Sequence, residues 1–109
     1  MSERIKKVNE LIKHLAADGI READVGGFVT VKFVETARDM KHADVWISIF
    51  GRNEKEVLDE IEAEKPIIQR AVNRKIKAKY APVLSFKIDH SGEHAQRIEK
   101  LLKNAGSES

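Results

Sequence analysis

Pro66 constrains this chain more than any other residue. It interrupts residues 54–77, a stretch whose composition otherwise favours helix. Proline has no backbone donor and disfavours helical geometry at the residue before it, here Lys65. It is well placed as the first residue of a new helix. The stretch therefore reads as two helices, 54–64 and 66–77, meeting at a kink, with a strand at 83–89 behind them. The charges change sign at the same point. Residues 54–64 carry Glu54, Glu56, Asp59, Glu60, Glu62 and Glu64 against Lys55. Residues 65–80 carry Lys65, Arg70, Arg74, Lys75, Lys77 and Lys79 with no acid. A basic surface set apart from an acidic one suits a polyanion better than it suits chemistry, and RNA is the expected target.

The rest of the chain supplies a core. Residues 3–17 read as an amphipathic helix, with Ile5, Val8, Leu11, Ile12, Leu15 and Ala16 on one stripe. Ser2 is the expected N-cap and Asp18-Gly19 the expected end. A loop, Asp24-Val25-Gly26-Gly27, leads to two strands. The first, 28–35, places Val29, Val31 and Phe33 on one face and Thr30 and Lys32 on the other. The second, 43–50, alternates Val45, Ile47 and Ile49 with Asp44, Trp46 and Ser48. The seven residues between them are too few for a crossover helix, so the strands pair antiparallel. The third strand puts Leu84, Phe86 and Ile88 inward and returns by a crossover through the two helices. Period-two alternation leaves one sheet face covered and the other open. Ser91 is the expected N-cap of a last helix carrying Ala95, Ile98, Leu101 and Leu102, with residues 104–109 as a frayed tail.

At 109 residues and 41% apolar content the chain makes one domain, 1–109, with one modest core. Its net charge is only +2, so the distribution of charge carries the argument for a polyanion, not the total. There is no cysteine, which removes disulfides, thiolate catalysis and zinc–cysteine sites. No apolar run approaches the roughly 18 residues that span a membrane, and the start of the chain has no secretion core. A cytoplasmic protein without a membrane partner is expected.

On a helical wheel Arg70, Asn73, Arg74 and Lys77 share a face roughly opposite Ile68, Ala71 and Val72. Lys65 at the kink and Lys79 beyond the end extend that strip towards phosphate spacings. The unpaired N–H groups at the start of the second helix also favour an anion. The bland alternative is an ordinary solvated face. Lys75 falls on the apolar side, so either it snorkels or the helix unwinds near it. Trp46 and Phe50, with Lys32 and Lys87, belong to the open sheet face and could stack unpaired bases. The alternatives there are a cover from the terminal helix or plain strand propensity.

Catalysis finds little support. Asp89-His90-Ser91-Gly92-Glu93-His94 looks chemical, but adjacent residues cannot converge as a triad, and His90 and His94 need not share a helix face. His14 and His42 read as isolated and solvated. No phosphate-binding glycine loop, metal signature or nucleophile motif is present. The chain is not expected to be an enzyme or to need a cofactor or metal. A protein-interaction or regulatory α+β module is the reading from a different class; a small hydrolase comes third.

Several runs together resemble a known family. They are Val29-Thr30-Val31-Lys32-Phe33-Val34-Glu35, then Arg38-Asp39-Met40-Lys41-His42-Ala43-Asp44-Val45-Trp46-Ile47-Ser48-Ile49-Phe50-Gly51, then Ile68-Gln69-Arg70, then Ala81-Pro82-Val83-Leu84-Ser85-Phe86-Lys87-Ile88-Asp89 with Ser91 behind it. With the basic start Arg4-Ile5-Lys6-Lys7-Val8 they are similar to ribosome-binding factor A over nearly the whole chain. The resemblance implies an α+β, type II KH-like domain, a three-stranded sheet packed on helices. Its order is α-β-β-α-kink-α-β with a short C-terminal helix, and a helix–kink–helix replaces the GxxG loop. It also implies a monomer that binds the small (30S) ribosomal subunit and its 16S rRNA. Such a factor aids late rRNA processing and cold adaptation and is released by a GTPase; a general KH-type RNA-binding protein is the nearest alternative. Arg4, Lys7, Arg38 and Lys41 join the expected RNA-binding set, and Glu64, Lys65 and Pro66 form the kink. Where the family's kink usually reads Ala-x-Gly, this chain has Glu64-Lys65-Pro66. Where Asp-Pro-Arg often precedes the first strand, it has Asp24-Val25-Gly26-Gly27.

Overall fold

The computed structural model describes residues 3–26, 28–77 and 79–90. These form α1 (Glu3–Glu22), β1 (Phe28–Thr36), β2 (His42–Phe50), α2 (Glu54–Ala63), α3 (Lys65–Lys75) and β3 (Val83–Ile88). The expected cap at Ser2, the terminal helix from Ser91 and the tail 104–109 lie outside the described residues. One residue, Glu64, both ends α2 and begins α3, with φ −95° and ψ 8°. Its N–H donates to Glu60 O at 3.0 Å, while its carbonyl accepts from Ile67 N at 3.0 Å and Ile68 N at 3.3 Å. Pro66 falls in the first turn of α3, where its missing donor costs nothing. At the far end of the pair, Asn53 caps α2 by accepting from Glu56 N at 3.0 Å.

Two expected helix ends are wrong. α3 stops at Lys75, not at residue 77: Ile76 is extended (φ −107°, ψ 120°) and half-buried against the core. Burying that apolar side chain stabilises by about 1–2 kcal/mol, enough to turn the chain out of the helix. Lys75 is therefore exposed at the point where the helix unwinds. α1 likewise runs beyond Asp18-Gly19, and the left-handed residue after it is Asp24, at φ 53°. Gly19 stays helical for a different reason. A Cβ there would sit 2.8 Å from the Ile68 Cα, so glycine lets α1 and α3 meet backbone to backbone. Of the expected apolar stripe on α1, Ile12, Leu15 and Ala16 are buried, Ile5 and Val8 are half-buried, and Leu11 is exposed.

The sheet has the order β1-β2-β3, antiparallel and then parallel, as the linker lengths require. One face of it carries Val31, Val34, Val45, Ile47, Leu84 and Phe86 into the core against the helices. Phe33 departs from the expected alternation. The register shifts between Val31 and Phe33, so Phe33 pairs with Trp46 and Val34 with Val45. The extra residue of this β-bulge is Lys32. It sends Phe33 to the open face and buries Val34 in its place. The β1–β2 turn closes through Met40, at φ 62°, with Lys41 N donating to Asp39 Oδ1 at 2.9 Å.

Arg52, just after β2, forks onto Glu60 of α2. Its Nη1 and Nη2 lie 2.9 Å from Glu60 Oε2 and 2.9 Å from Oε1. That hydrogen-bonded guanidinium, helped by a backbone hydrogen bond from Gly26, holds the Glu60 carboxyl below the usual glutamate range despite some desolvation.

The Gly19 contact and the Arg52 clamp can each be tested by one substitution. Alanine is normally about 1 kcal/mol better than glycine in a helix, but overpacking a tight contact costs about 1–3 kcal/mol. Gly19→Ala should therefore lower stability by about 1 kcal/mol, or some 4–8 °C in melting temperature. A urea midpoint equal to or above wild type would show that α1 and α3 are not in tight contact. For Glu60, a depressed carboxyl contributes stability above the unfolded-state value and loses it as pH falls through the folded value. Thermal melts should thus lose stability on the acid side of the glutamate range, and Glu60→Gln should flatten that limb. An unchanged acid limb in Glu60→Gln would remove the Arg52 clamp from the account.

Candidate nucleic-acid interface

The basic strip is built on α3 and the turn behind it. Arg70, Arg74 and Lys75 are exposed on the helix, and Lys77 and Lys79 are exposed in the turn. Lys65 and Asn73 are half-buried. Because α3 ends at Lys75, Lys77 does not share the helix face of Arg70 and Arg74. It belongs to the turn, where its carbonyl accepts from Tyr80 N at 2.7 Å and Ala81 N at 3.0 Å.

The cations differ in how far they are already neutralised. Arg74 Nη2 reaches both oxygens of Glu22 on α1, at 2.6 and 2.9 Å. Both partners are roughly half exposed, so solvent screens the pair and it is worth at most about 1 kcal/mol. Lys65, Arg70, Lys75 and Lys77 make no ion pair with any described residue. Lys79 lies over the Tyr80 ring, Nζ 5.6 Å from its centroid.

A cleft of about 350 Å³ opens beside this strip, lined by Lys65, Pro66, Gln69, Asn73, Ala81 and Val83. Its polar geometry is dictated by Gln69. The backbone N–H of Leu84 donates to Gln69 Oε1 at 3.1 Å, which makes the other end of that amide the donor. Gln69 Nε2 then donates to Pro82 O at 2.9 Å and Asn73 Oδ1 at 3.1 Å. These bonds pin the start of β3 to α3. They also orient Asn73, leaving its Nδ2 with no acceptor among the described residues and available at the cleft. The motif Ile68-Gln69-Arg70 was legible in the sequence, but the role of Gln69 as the pin was not, because its partners lie 13 and 15 residues away.

The other expected positions are more scattered. Arg38 and Lys41 are exposed in the β1–β2 turn. The Lys41 carbonyl accepts from Val83 N at 2.9 Å, which ties that turn to the mouth of the cleft. Asn9 of α1 accepts from Thr36 N at 2.9 Å and Thr36 Oγ1 at 2.5 Å, tying the same turn to α1. Arg4 and Lys7 are exposed on α1 beside Val8 and Leu11, along a separate surface hollow. At the kink, the Glu64 side chain makes no cap hydrogen bond and Pro66 is exposed.

The open sheet face carries a second surface. Phe33 stacks on Trp46 with centroids 5.5 Å apart and planes 16° from parallel. Lys87 Nζ lies 5.5 Å from the Trp46 ring and 3.1 Å from Asp44 Oδ2. Phe28 and Phe50 oppose each other in register at 75% and 77% exposure. Whether a terminal helix covers Trp46 falls outside the described residues. His90 Nε2 lies 2.6 Å from Glu54 Oε2 at the start of α2. Among the described residues no polar or charged side chain is buried and no cluster of three His, Cys, Asp or Glu could hold a metal.

The chain matches the family model described as ribosome-binding factor A over residues 4–102. A ribosome-binding factor A from Rhodopseudomonas palustris (strain BisB18) is 37% identical over 112 residues, covering 96% of this chain and 82% of that protein. Among solved structures, the crystal structure of ribosome-binding factor A from Thermus thermophilus superposes with a TM-score of 0.70 at 20% identity. That match covers 77% of this chain and 94% of the other. The Thermus thermophilus factor as fitted into a cryo-EM map of a complex with the 30S subunit gives a TM-score of 0.52 at 20% identity, over 72% of this chain and 96% of the other. The shared fold is the α+β, KH-like one; in this chain it carries the kinked α2–α3 pair and no GxxG. With a family model spanning nearly its whole length and relatives of this identity, the chain belongs to the ribosome-binding factor A family.

Proposed function

We propose that this protein is a non-catalytic factor that binds the small ribosomal subunit through 16S rRNA. In this reading it acts as a monomer in the cytoplasm, late in subunit assembly, supporting rRNA maturation and growth in the cold, and a GTPase releases it. The observation that carries the reading is the exposed cation set along α3 and the turn behind it, Arg70, Lys75 and Lys77, which no acid of the described fold neutralises. The family relationship and the relative seen with a 30S subunit support the choice of target. Among the described residues no helix is long and apolar enough to cross a membrane. Phosphate contacts supply most of the affinity, and the shape of the folded RNA supplies the selectivity. Lys65 and Asn73 contact the RNA from the cleft, Lys79 extends the strip, and Arg38 and Lys41 approach from the hairpin turn. Arg4 and Lys7 form an outlying contact on α1.

The second reading is a protein-docking module, and the exposed Phe28–Phe50 pair on the open sheet favours it. Sedimentation with purified 30S subunits at low and raised salt separates the two. RNA binding falls steeply with salt, and Arg70→Glu with Lys77→Glu lowers retention at least about 10-fold at low salt, since each lost phosphate contact also removes its share of counterion release. Arg74→Ala costs less than Arg70→Ala because Glu22 already holds Arg74, and Glu22→Gln strengthens binding. No co-sedimentation at low salt, or indifference to charge reversal, would rule out the proposed site. Salt-insensitive binding lost with Phe28→Ser and Phe50→Ser would favour the docking module.

A further inference from the structure

Tyr80 is the one tyrosine of the chain, and the described core does not use its ring. It is 64% exposed. Its backbone is nevertheless held: Tyr80 N donates to Lys77 O at 2.7 Å, and Ala81 N donates to the same carbonyl at 3.0 Å. The ring therefore projects from a closed turn between α3 and β3, not from a loose loop. Lys79 sits over it at 5.6 Å, and Lys75 and Lys77 are exposed in the same short stretch. No acid occurs anywhere in residues 65–80.

An exposed aromatic on a held turn among unpaired lysines has a specific chemical match. The lysines repel one another and are relieved by phosphates. Lys79 engages the ring only in part, and the ring surface that remains exposed is relieved by stacking on a flat apolar partner. Unpaired RNA offers both, phosphates spaced along a backbone and bases with open faces. A duplex offers only the phosphates, because its bases are already stacked. A strand role does not account for Tyr80, which precedes β3, and a core role does not account for it either.

We propose that Tyr80 is a stacking platform for an unpaired nucleobase, with Lys77 and Lys79 taking the phosphates on either side of it. This rests on the RNA-binding reading above and adds to it: the turn prefers single-stranded RNA, whereas the α3 strip alone would take any phosphate backbone.

The test measures binding of the full chain to an unstructured RNA of about twelve nucleotides, and to the same sequence annealed to its complement, by fluorescence anisotropy across a salt series. Tyr80→Ala weakens the single-stranded complex roughly 5- to 100-fold, the range expected for one base–aromatic stack, and leaves duplex binding and the salt slope unchanged. Tyr80→Phe retains the affinity, and Tyr80→Leu does not, because leucine is apolar but cannot stack. Lys77→Gln with Lys79→Gln lowers the salt slope instead. The side chain is exposed, so all three Tyr80 variants melt with wild type. If Tyr80→Ala binds single-stranded RNA like wild type, or Tyr80→Leu matches Tyr80→Phe, the stacking role is overturned while the RNA-binding reading stands. If wild type binds neither RNA nor purified 30S subunits, both readings are overturned together.

Discussion

The arrangement turns on the bare backbone of Gly19 against Ile68. An added Cβ would meet backbone there, so no neighbouring rotamer could make room. The close approach seats α3 low on α1 and commits Ile68, Ala71 and Val72 to the buried side. The opposite side of the helix then has no choice but solvent, and that side carries Arg70 and Arg74. A wider separation of α1 and α3 would also take Arg74 out of reach of Glu22.

A second constraint is the amide of Gln69. One side chain satisfies a backbone donor at Leu84 and a backbone acceptor at Pro82, both at the start of β3. Without it, the first residues of a parallel edge strand would have to find other partners, and unsatisfied half-buried groups cost about 1–3 kcal/mol each. The same amide sets the orientation of Asn73 at the cleft. Structural need and surface chemistry thus share one residue. The break at Glu64 serves both in a similar way: it lets α2 and α3 pack in different directions, and it leaves Lys65 and Pro66 at the lip of the cleft.

The charge pattern was legible in the chain order, but its meaning changed once partners were visible. Arg52, Arg74 and Lys87 are engaged by Glu60, Glu22 and Asp44. Those acids lie 8, 52 and 43 residues away, beyond the reach of helical spacing rules. Along α3 and the turn behind it, Lys65, Arg70, Lys75 and Lys77 are left without an acidic partner among the described residues. Nothing local in the sequence marks out Tyr80; its exposure beside Lys79 does.

The sequence by itself determined the number, kind and order of the described elements, because periodicity, proline and linker length are local properties. It also determined the antiparallel first pair and the return of β3 by a crossover, since seven residues cannot cross over and two helices can. Only the tertiary structure decided three things. Plain alternation placed Phe33 on the face of Val29 and Val31, and pairing against Trp46 and Val45 introduced the bulge that buries Val34 instead. Gly19 could equally end a helix or admit a neighbour, and the presence of Ile68 chose the second. Ile76 could continue a helix, and burial against the core pulled it out, carrying Lys77 from the helix face into the turn. In each case local preferences are small, about 1 kcal/mol or less per residue, and contacts distant in sequence overrode them.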